Sequence, residues 1–430
     1  MSKEISVFKF GGASVKDSAA INNVIEILRS HKEKKILIVV SAMGKTTNKM
    51  EKVVNSIKDK DQALIYLQEV KEAHAIVVEE LFGEADDLNE ILNDIFVEAE
   101  WALDEDPSQY DFVYDQIVGI GELASTRILN YGLEKAGFSN AWLDARDIIK
   151  TDELYRESTV IWDKTLSNIQ SKVKPLLAKK NFVVTQGFIG STLDNNTTTL
   201  GREGSDYSAA IFSYGLDASS MTIWKDVPGV LTADPKKFNN VSKLNRLAYR
   251  EAIEMTYYGA KVIHPKTIKP LQNKSIPLHV KSFLEPEEEG TLIASEIEEK
   301  YPPIVSIEDK QSIVYISTLD FSFVAEHHLG YLFKELAKFR LPVNMMQNTA
   351  ISFAVCVTDK ENRIDDFCKS IESDFKTTVD KDLELITIRH YQKNLIESLK
   401  KGKIILLEQR IKNTVQLVVK GFKMMERITK

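Results

Sequence analysis

The sequence predicts an α/β fold: a mostly parallel sheet sandwiched by helices over residues 1–295, followed by two small β-α-β modules over residues 303–430. Three observations carry this expectation. Strand-like apolar runs alternate with helical periodicities from residue 4 to about residue 295, the pattern of a sheet covered by helices. The first of these runs ends in Lys9-Phe10-Gly11-Gly12-Ala13-Ser14-Val15, a lysine and paired glycines where open α/β sheets bind their ligands. Past Glu285-Pro286-Glu287-Glu288-Glu289-Gly290 and Tyr301-Pro302-Pro303, both breaker-rich, the repeating unit becomes shorter.

Taken in order, Ile5 to Phe8 reads as the first strand. The glycines behind it let backbone N–H groups approach an anion, and a helix starting near Asp17 would aim its positive end at the same point. Phosphate is the expected guest. The segment matches neither Gly-x-Gly-x-x-Gly nor a Gly-rich loop ending in Gly-Lys-Ser/Thr, so alone it is equally a tight turn under a helix. Lys34 to Ser41 is the second strand. Asp61 to Leu103 is helical with Gly83 as its single breaker, a stretch expected to form a lid or a subunit surface. A helix opens at Gly121-Glu122, strands follow at Asn181 to Ile189 and Met221 to Lys225, and a helix spans Arg250 to about Gly259.

In the C-terminal part Ile313 to Ile316 is a strand, Leu329, Leu332, Phe333 and Leu336 fall at helical spacing, and Ile351, Phe353, Val355 and Val357 alternate as a strand. A second unit follows: strand Leu383 to Ile388, helix Leu395 to Leu399, and strands Lys403 to Glu408 and Thr414 to Lys420. Such duplication is expected of a ligand-sensing module, with a dimerisation appendage as the alternative.

Composition excludes several classes. With 43% hydrophobic and 28% charged residues the 430-residue chain is ordinary globular material. A net charge of −7 without a basic stripe argues against nucleic acid as partner. Apolar runs such as Ile36 to Val40 fall far short of the roughly 20 residues of a membrane helix. No signal-peptide core follows Met1-Ser2-Lys3-Glu4, so a cytoplasmic location and no membrane partner are expected. Cys356 and Cys368 sit among apolar residues and read as core.

Three more segments complete a set. Gly201-Arg202-Glu203-Gly204-Ser205-Asp206-Tyr207-Ser208 puts glycines, an arginine and an aspartate in a loop and first helical turn, a geometry suited to anions. Trp224-Lys225-Asp226-Val227 ends a strand and turns through Pro228 and Pro235. Tyr258-Gly259-Ala260-Lys261-Val262-Ile263-His264-Pro265 closes a helix. Singly these are a capping aspartate, a rigid turn and a C-cap glycine. Together, and in this order, they resemble the aspartate kinases of the amino acid kinase family. The resemblance covers nearly the whole chain, with Ala13 where the family has threonine, Glu203 where it has glycine, and Lys225 in its Trp-Thr-Asp-Val stretch.

The resemblance implies an amino acid kinase fold followed by tandem ACT-like, ferredoxin-like modules. At 430 residues it implies a monofunctional enzyme, without the homoserine dehydrogenase domain of some relatives. The implied reaction converts ATP and L-aspartate to ADP and 4-phospho-L-aspartate, the entry to lysine, threonine and methionine, with Mg2+ on the nucleotide phosphates. Lys9 and Asp206 are the implied catalytic residues, Gly11, Gly12 and Ser14 the phosphate cradle. Ser41, Thr47, Glu122, Arg202 and Ser205 would take aspartate: Arg202 the α-carboxylate as a bidentate cation, Glu122 the ammonium. Lys225, Asp226, Leu231, Lys236, Lys261 and Val262 fall where the family holds the nucleotide, Leu231 standing where many relatives have tyrosine. Asn344 and Asn348 would contact a lysine or threonine effector, and pairing of modules would make the protein a homodimer or higher homo-oligomer. Another carboxylate kinase of this fold and a silent amino-acid sensor are the competing readings.

Overall fold

The computed structural model describes residues 4–259, 263–295, 297, 300–320, 322–358 and 363–421. The chain divides into two compact units: residues 1–230, 243–253 and 262–299, and residues 231–242, 254–261 and 300–430.

The first unit is built on an eight-stranded sheet in the order Arg246–Ala248, Thr291–Ala294, Leu278–Ser282, Ser220–Lys225, Ile5–Phe10, Lys35–Val40, Phe182–Gln186, Asn140–Leu143. Every pairing is parallel except Leu278–Ser282 with Thr291–Ala294. The central strands are buried almost end to end, as strands covered on both faces must be. Side chains alternate across that sheet. Phe8 and Phe10 enter a core shared with the helices Ser18–Arg29, Thr46–Asn55, Lys60–Phe82, Asp86–Ala102, Tyr110–Val118 and Ile120–Lys135. Lys9 therefore faces the opposite side, where the helix Gly204–Leu216 packs on the first strand.

The helical stretch expected over Asp61 to Leu103 is two helices, Lys60–Phe82 and Asp86–Ala102, parted at Gly83 with φ +67°. Their apolar faces, Leu67, Val70, Val77 and Leu88, Leu92, Phe96, belong to the main core. Among the described residues no helix is long and apolar enough to cross a membrane.

The second unit holds a six-stranded antiparallel sheet in the order Val343–Asn348, Ser352–Thr358, Ile304–Thr318, Phe375–Arg389, Thr414–Gly421, Lys403–Ile411, and it resembles paired ACT domains. The two modules are not consecutive as the sequence reading had them. Ile304–Thr318 and Phe375–Arg389, 15 residues each, run through both: one end pairs within the module of the helix Glu326–Lys338, the other within that of Lys393–Lys400. The polar interruptions Glu308-Asp309-Lys310 and Asp380-Lys381-Asp382 look like strand ends in the sequence. In the fold the ladder between them is irregular, with Lys310 and Asp382 at φ 57° and 59°, and the strands continue past it. Val343–Asn348 is an edge strand with Met346, Gln347 and Asn348 exposed, hence without the alternation that announces its neighbour. Residues 231–242 join this unit through Val305, whose N–H donates to Thr232 O at 2.8 Å, and through Ala233 and Phe238 against the Ile386, Ile388 and Leu417 cluster.

Candidate active site

Parallel strands deliver their carboxyl ends to one edge of the sheet, and the first unit concentrates its chemistry there. Lys9, on the first strand, is 9% exposed. Its Nζ lies 2.7 Å from Asp206 Oδ1, and Lys225 Nζ, at the end of the adjoining strand, lies 3.9 Å from Asp206 Oδ2. Burial works to raise the Asp206 carboxyl, but Lys9 and Lys225 outweigh it and hold the group below its ordinary value. Asp206 stands in the first turn of its helix without capping it. Its structural task is instead to fix two ammonium groups side by side, a centre prepared for anionic oxygens.

The glycines after Lys9 have distinct reasons. A Cβ on Gly12 would meet the carbonyl oxygens of Ala42 and Gly44 at 2.8 and 2.7 Å, so two backbone turns touch there directly. A Cβ on Gly11 would sit 3.5 Å from Lys9 Nζ. The expected helix near Asp17 begins at Ser18, but a short 3-10 turn, Gly12–Val15, intervenes, and Asp17 itself accepts the N–H of Ala20 at 2.8 Å. Gly204–Leu216 begins without a side-chain cap, as do Thr46–Asn55 and Ile120–Lys135. Ser14 is fully buried and its Oγ has no partner.

Glu122 lies in the first turn of Ile120–Lys135 and is 2% exposed. Burial pushes its carboxyl up from 4.5 to about 8, against the N–H of Ala42 and its own N–H, which it accepts, and the attraction of Lys9. Its Oε2 has no partner. A first-turn glutamate placed merely for the helix dipole would stand in solvent. Ser41 follows the second strand, its N–H donating to Phe10 O at 3.1 Å; Thr47, expected in the loop, lies in the first turn of Thr46–Asn55. Ser205 is buried against Gly187, where a Cβ would come 2.5 Å from the serine Cβ.

Arg202 is exposed, and no carboxylate pairs with it among the described residues. Glu203, next to it, has φ 55°, a left-handed conformation that explains why glycine suits this position and that glutamate holds under strain. Ala13 is exposed in the 3-10 turn. Asp226 is exposed just past its strand, while Leu231 and Lys236 fall in the second unit, Lys236 exposed with its N–H on Asp234 Oδ1 at 2.9 Å. Lys261 and Val262 lie outside the described residues. In the second unit Asn344 Nδ2 donates to Gln311 Oε1 at 2.7 Å and Thr358 Oγ1 at 2.8 Å, whereas Asn348 is exposed.

The sequence reading did not find the Ala42 N–H that meets Glu122, the close approach of Gly187, or Lys225 as a second cation on Asp206. The strand-end position of Lys225 was the one available signal for the last.

The amino acid kinase family matches residues 4–282. Lysine-sensitive aspartokinase 3 of Escherichia coli (strain K12) is 32% identical over 366 residues, 82% of this chain and 78% of that protein. The chain belongs to the amino acid kinase family, among its aspartokinases. A bifunctional aspartokinase/homoserine dehydrogenase 2 of Arabidopsis thaliana is 36% identical over 314 residues, 69% of this chain, which spans 33% of that longer protein. Among solved structures, E. coli aspartokinase III in complex with aspartate and ADP aligns with a TM-score of 0.83 at 25% identity, covering 97% of this chain and 96% of that one. A second structure, E. coli aspartokinase III in complex with lysine and aspartate, shares the fold with a TM-score of 0.79 at 24% identity.

Proposed function

We propose that this protein is an aspartate kinase that transfers the γ-phosphoryl group of ATP to the side-chain carboxylate of L-aspartate, giving ADP and 4-phospho-L-aspartate, and that its ACT-like unit takes an amino-acid effector. The observation that carries the reading is Lys9 and Lys225 held on the two oxygens of Asp206, in the unit where Glu122 and Ser14 keep buried, unpartnered oxygens.

The chemistry follows from charge. The substrate carboxylate has an ordinary pKa of about 3.9 and is ionised near neutrality, so no general base is required. One carboxylate oxygen bonds to the γ-phosphorus, the bond from that phosphorus to the β–γ bridging oxygen breaks, and the electron pair leaves on ADP. The barrier is the meeting of two anions. Lys9 offsets the charge on the transferring group, and the backbone of Gly11 and Gly12 with Ser14 Oγ cradles phosphate oxygens. Asp206 orients Lys9 and Lys225. The paired ammonium groups of Lys9 and Lys225 and the orphaned Ser14 hydroxyl fit nucleotide phosphates. Magnesium supplies further charge neutralisation when carried on those phosphates; among the described residues no group of three or more carboxylate, histidine or cysteine side chains is placed to hold a metal.

Arg202 offers a planar fork to the substrate α-carboxylate, and Glu122 takes its ammonium. Ser41, Thr47 and Ser205 complete the substrate set, with Asp226, Leu231, Lys236, Lys261 and Val262 assigned to the nucleotide. Lysine or threonine is the proposed effector, and module pairing the proposed route to a homodimer.

The test is an ADP-release assay with aspartate, glutamate and N-acetylglutamate offered in turn. Turnover with aspartate alone is expected. Turnover on another carboxylate would reassign the substrate, and aspartate binding without turnover would make the protein a sensor.

A further inference from the structure

Glu122 and the Arg202 turn stand on separate stretches of chain, yet one small substrate must span them, so their separation has to be held. A buried side chain, Asp115, joins the elements that carry them. Asp115 lies in Tyr110–Val118, which passes through Gly119 into the helix of Glu122. It is 0% exposed and accepts three hydrogen bonds from other parts of the chain. Its Oδ2 takes Arg156 N–H and Thr199 N–H, both at 2.9 Å, and its Oδ1 takes the Thr199 hydroxyl at 2.7 Å. Gln116 adds a reciprocal pair with the Thr197 backbone, accepting its N–H at 3.0 Å and donating to its O at 2.8 Å.

These partners are the walls of the Arg202 turn. Thr199 precedes Gly201 by two residues, and Ser158 N–H donates to Thr199 O at 3.0 Å, tying the 156–158 segment to it. Gly201 itself has φ +76°, and a Cβ there would meet Glu157 Cγ at 3.0 Å and Arg156 O at 3.3 Å. Both sides of the turn therefore hang from one carboxylate. An apolar side chain in its place would leave the buried Thr199 N–H and the part-buried Arg156 N–H without their acceptor.

We infer that Asp115 is a positioning residue: it sets the Arg202 turn against the helix of Glu122, and so fixes the spacing at which the ammonium and α-carboxylate of an amino acid are read. The inference rests on the assignment of Arg202 and Glu122 to aspartate.

The experiment compares Asp115→Ala and Asp115→Asn in the ADP-release assay. Asparagine can keep the set, its carbonyl accepting both N–H groups and its NH2 donating to the Thr199 hydroxyl oxygen. Asp115→Ala is expected to raise KM for aspartate about tenfold or more with kcat and KM for ATP changed less than about threefold, and Asp115→Asn to restore KM to within about threefold of wild type. A folded Asp115→Ala with unchanged aspartate KM, or with kcat and both KM values impaired alike, overturns the inference. If the alanine variant does not fold, Thr199→Ala decides: a rise of about threefold in aspartate KM supports positioning, and no change rejects it. If the wild-type protein shows no aspartate-dependent ADP release, the substrate assignment has failed instead. Hydrogen exchange then judges the clamp: faster exchange in Thr199→Ala confined to amides 199–202 supports it, and unchanged exchange there rejects it.

Discussion

Lys9 meets Asp206 in a nearly dry setting, so its charge is worth far more to a transferring phosphoryl group than a surface lysine's would be. Lys9→Ala is expected to lower kcat by on the order of 10²- to 10³-fold with little change in aspartate affinity. Steady-state kinetics would reject the role if kcat survived and only aspartate binding were lost. Arg202→Lys keeps a charge but loses the fork, so KM for aspartate should rise strongly with KM for ATP nearly intact. Equal weakening of both would move Arg202 to the nucleotide. Glu122 gives a pH signature. Its folded pKa, about 8, lies above the unfolded 4.5, so the folded state binds the extra proton between them. Its contribution to stability is therefore fully present below about 4.5 and is lost as pH rises towards 8, with a slope approaching 1.4 kcal/mol per pH unit. Glu122→Gln should remove that slope from denaturation midpoints measured across the window; a slope that persists assigns the proton to another group.

At the scale of elements, close backbone approach does what side chains cannot. Gly12→Ala puts a methyl group against two carbonyl oxygens at 2.7 and 2.8 Å, neither of which can swing aside as a flexible side chain would. A loss of about 1–3 kcal/mol in stability is expected, with a matching rise in KM for ATP as the cradle shifts. Thermal unfolding and ATP titration of the variant check both. Glu203 is the opposite case. Its left-handed φ of 55° costs a β-carbon-bearing residue roughly 1 kcal/mol, so Glu203→Gly should stabilise the fold by about that much. A lower melting temperature would mean that the glutamate side chain supports the loop by more than its backbone strain costs.

For the whole molecule, the sharing of two 15-residue strands between the ACT-like modules makes the second unit one cooperative body. Lysine or threonine is expected to inhibit the intact enzyme, and removal of residues from Pro303 onward to abolish that inhibition. The same cut should lower the melting temperature, because residues 231–242 pack on the unit it removes. An active intact enzyme insensitive to both amino acids, alone and combined, at millimolar concentrations would leave the unit a dimerisation module. The coupling at issue is about 1–3 kcal/mol, well within reach of dose–response curves.

The sequence by itself determined the alternation of strands and helices, the strand-end placement of Lys9 and Lys225, and the helical turn that carries Ser205 and Asp206. These are local matters of apolar periodicity, turn-forming glycines and helix starts, written in contiguous residues. Tertiary structure alone decided which charges meet. The Lys9–Asp206 pair joins residues 197 positions apart by number, and only the packing of the helix Gly204–Leu216 on the first strand brings them together. It also decided that the interruptions at Lys310 and Asp382 bend strands instead of ending them, because a ladder on the neighbouring strand carries the chain past a break that looks final in one dimension. Asp115 is the plainest instance. In sequence it is one acidic residue among mostly apolar neighbours, and only the packing of two distant segments against the helix Tyr110–Val118 gives its carboxylate three donors to hold.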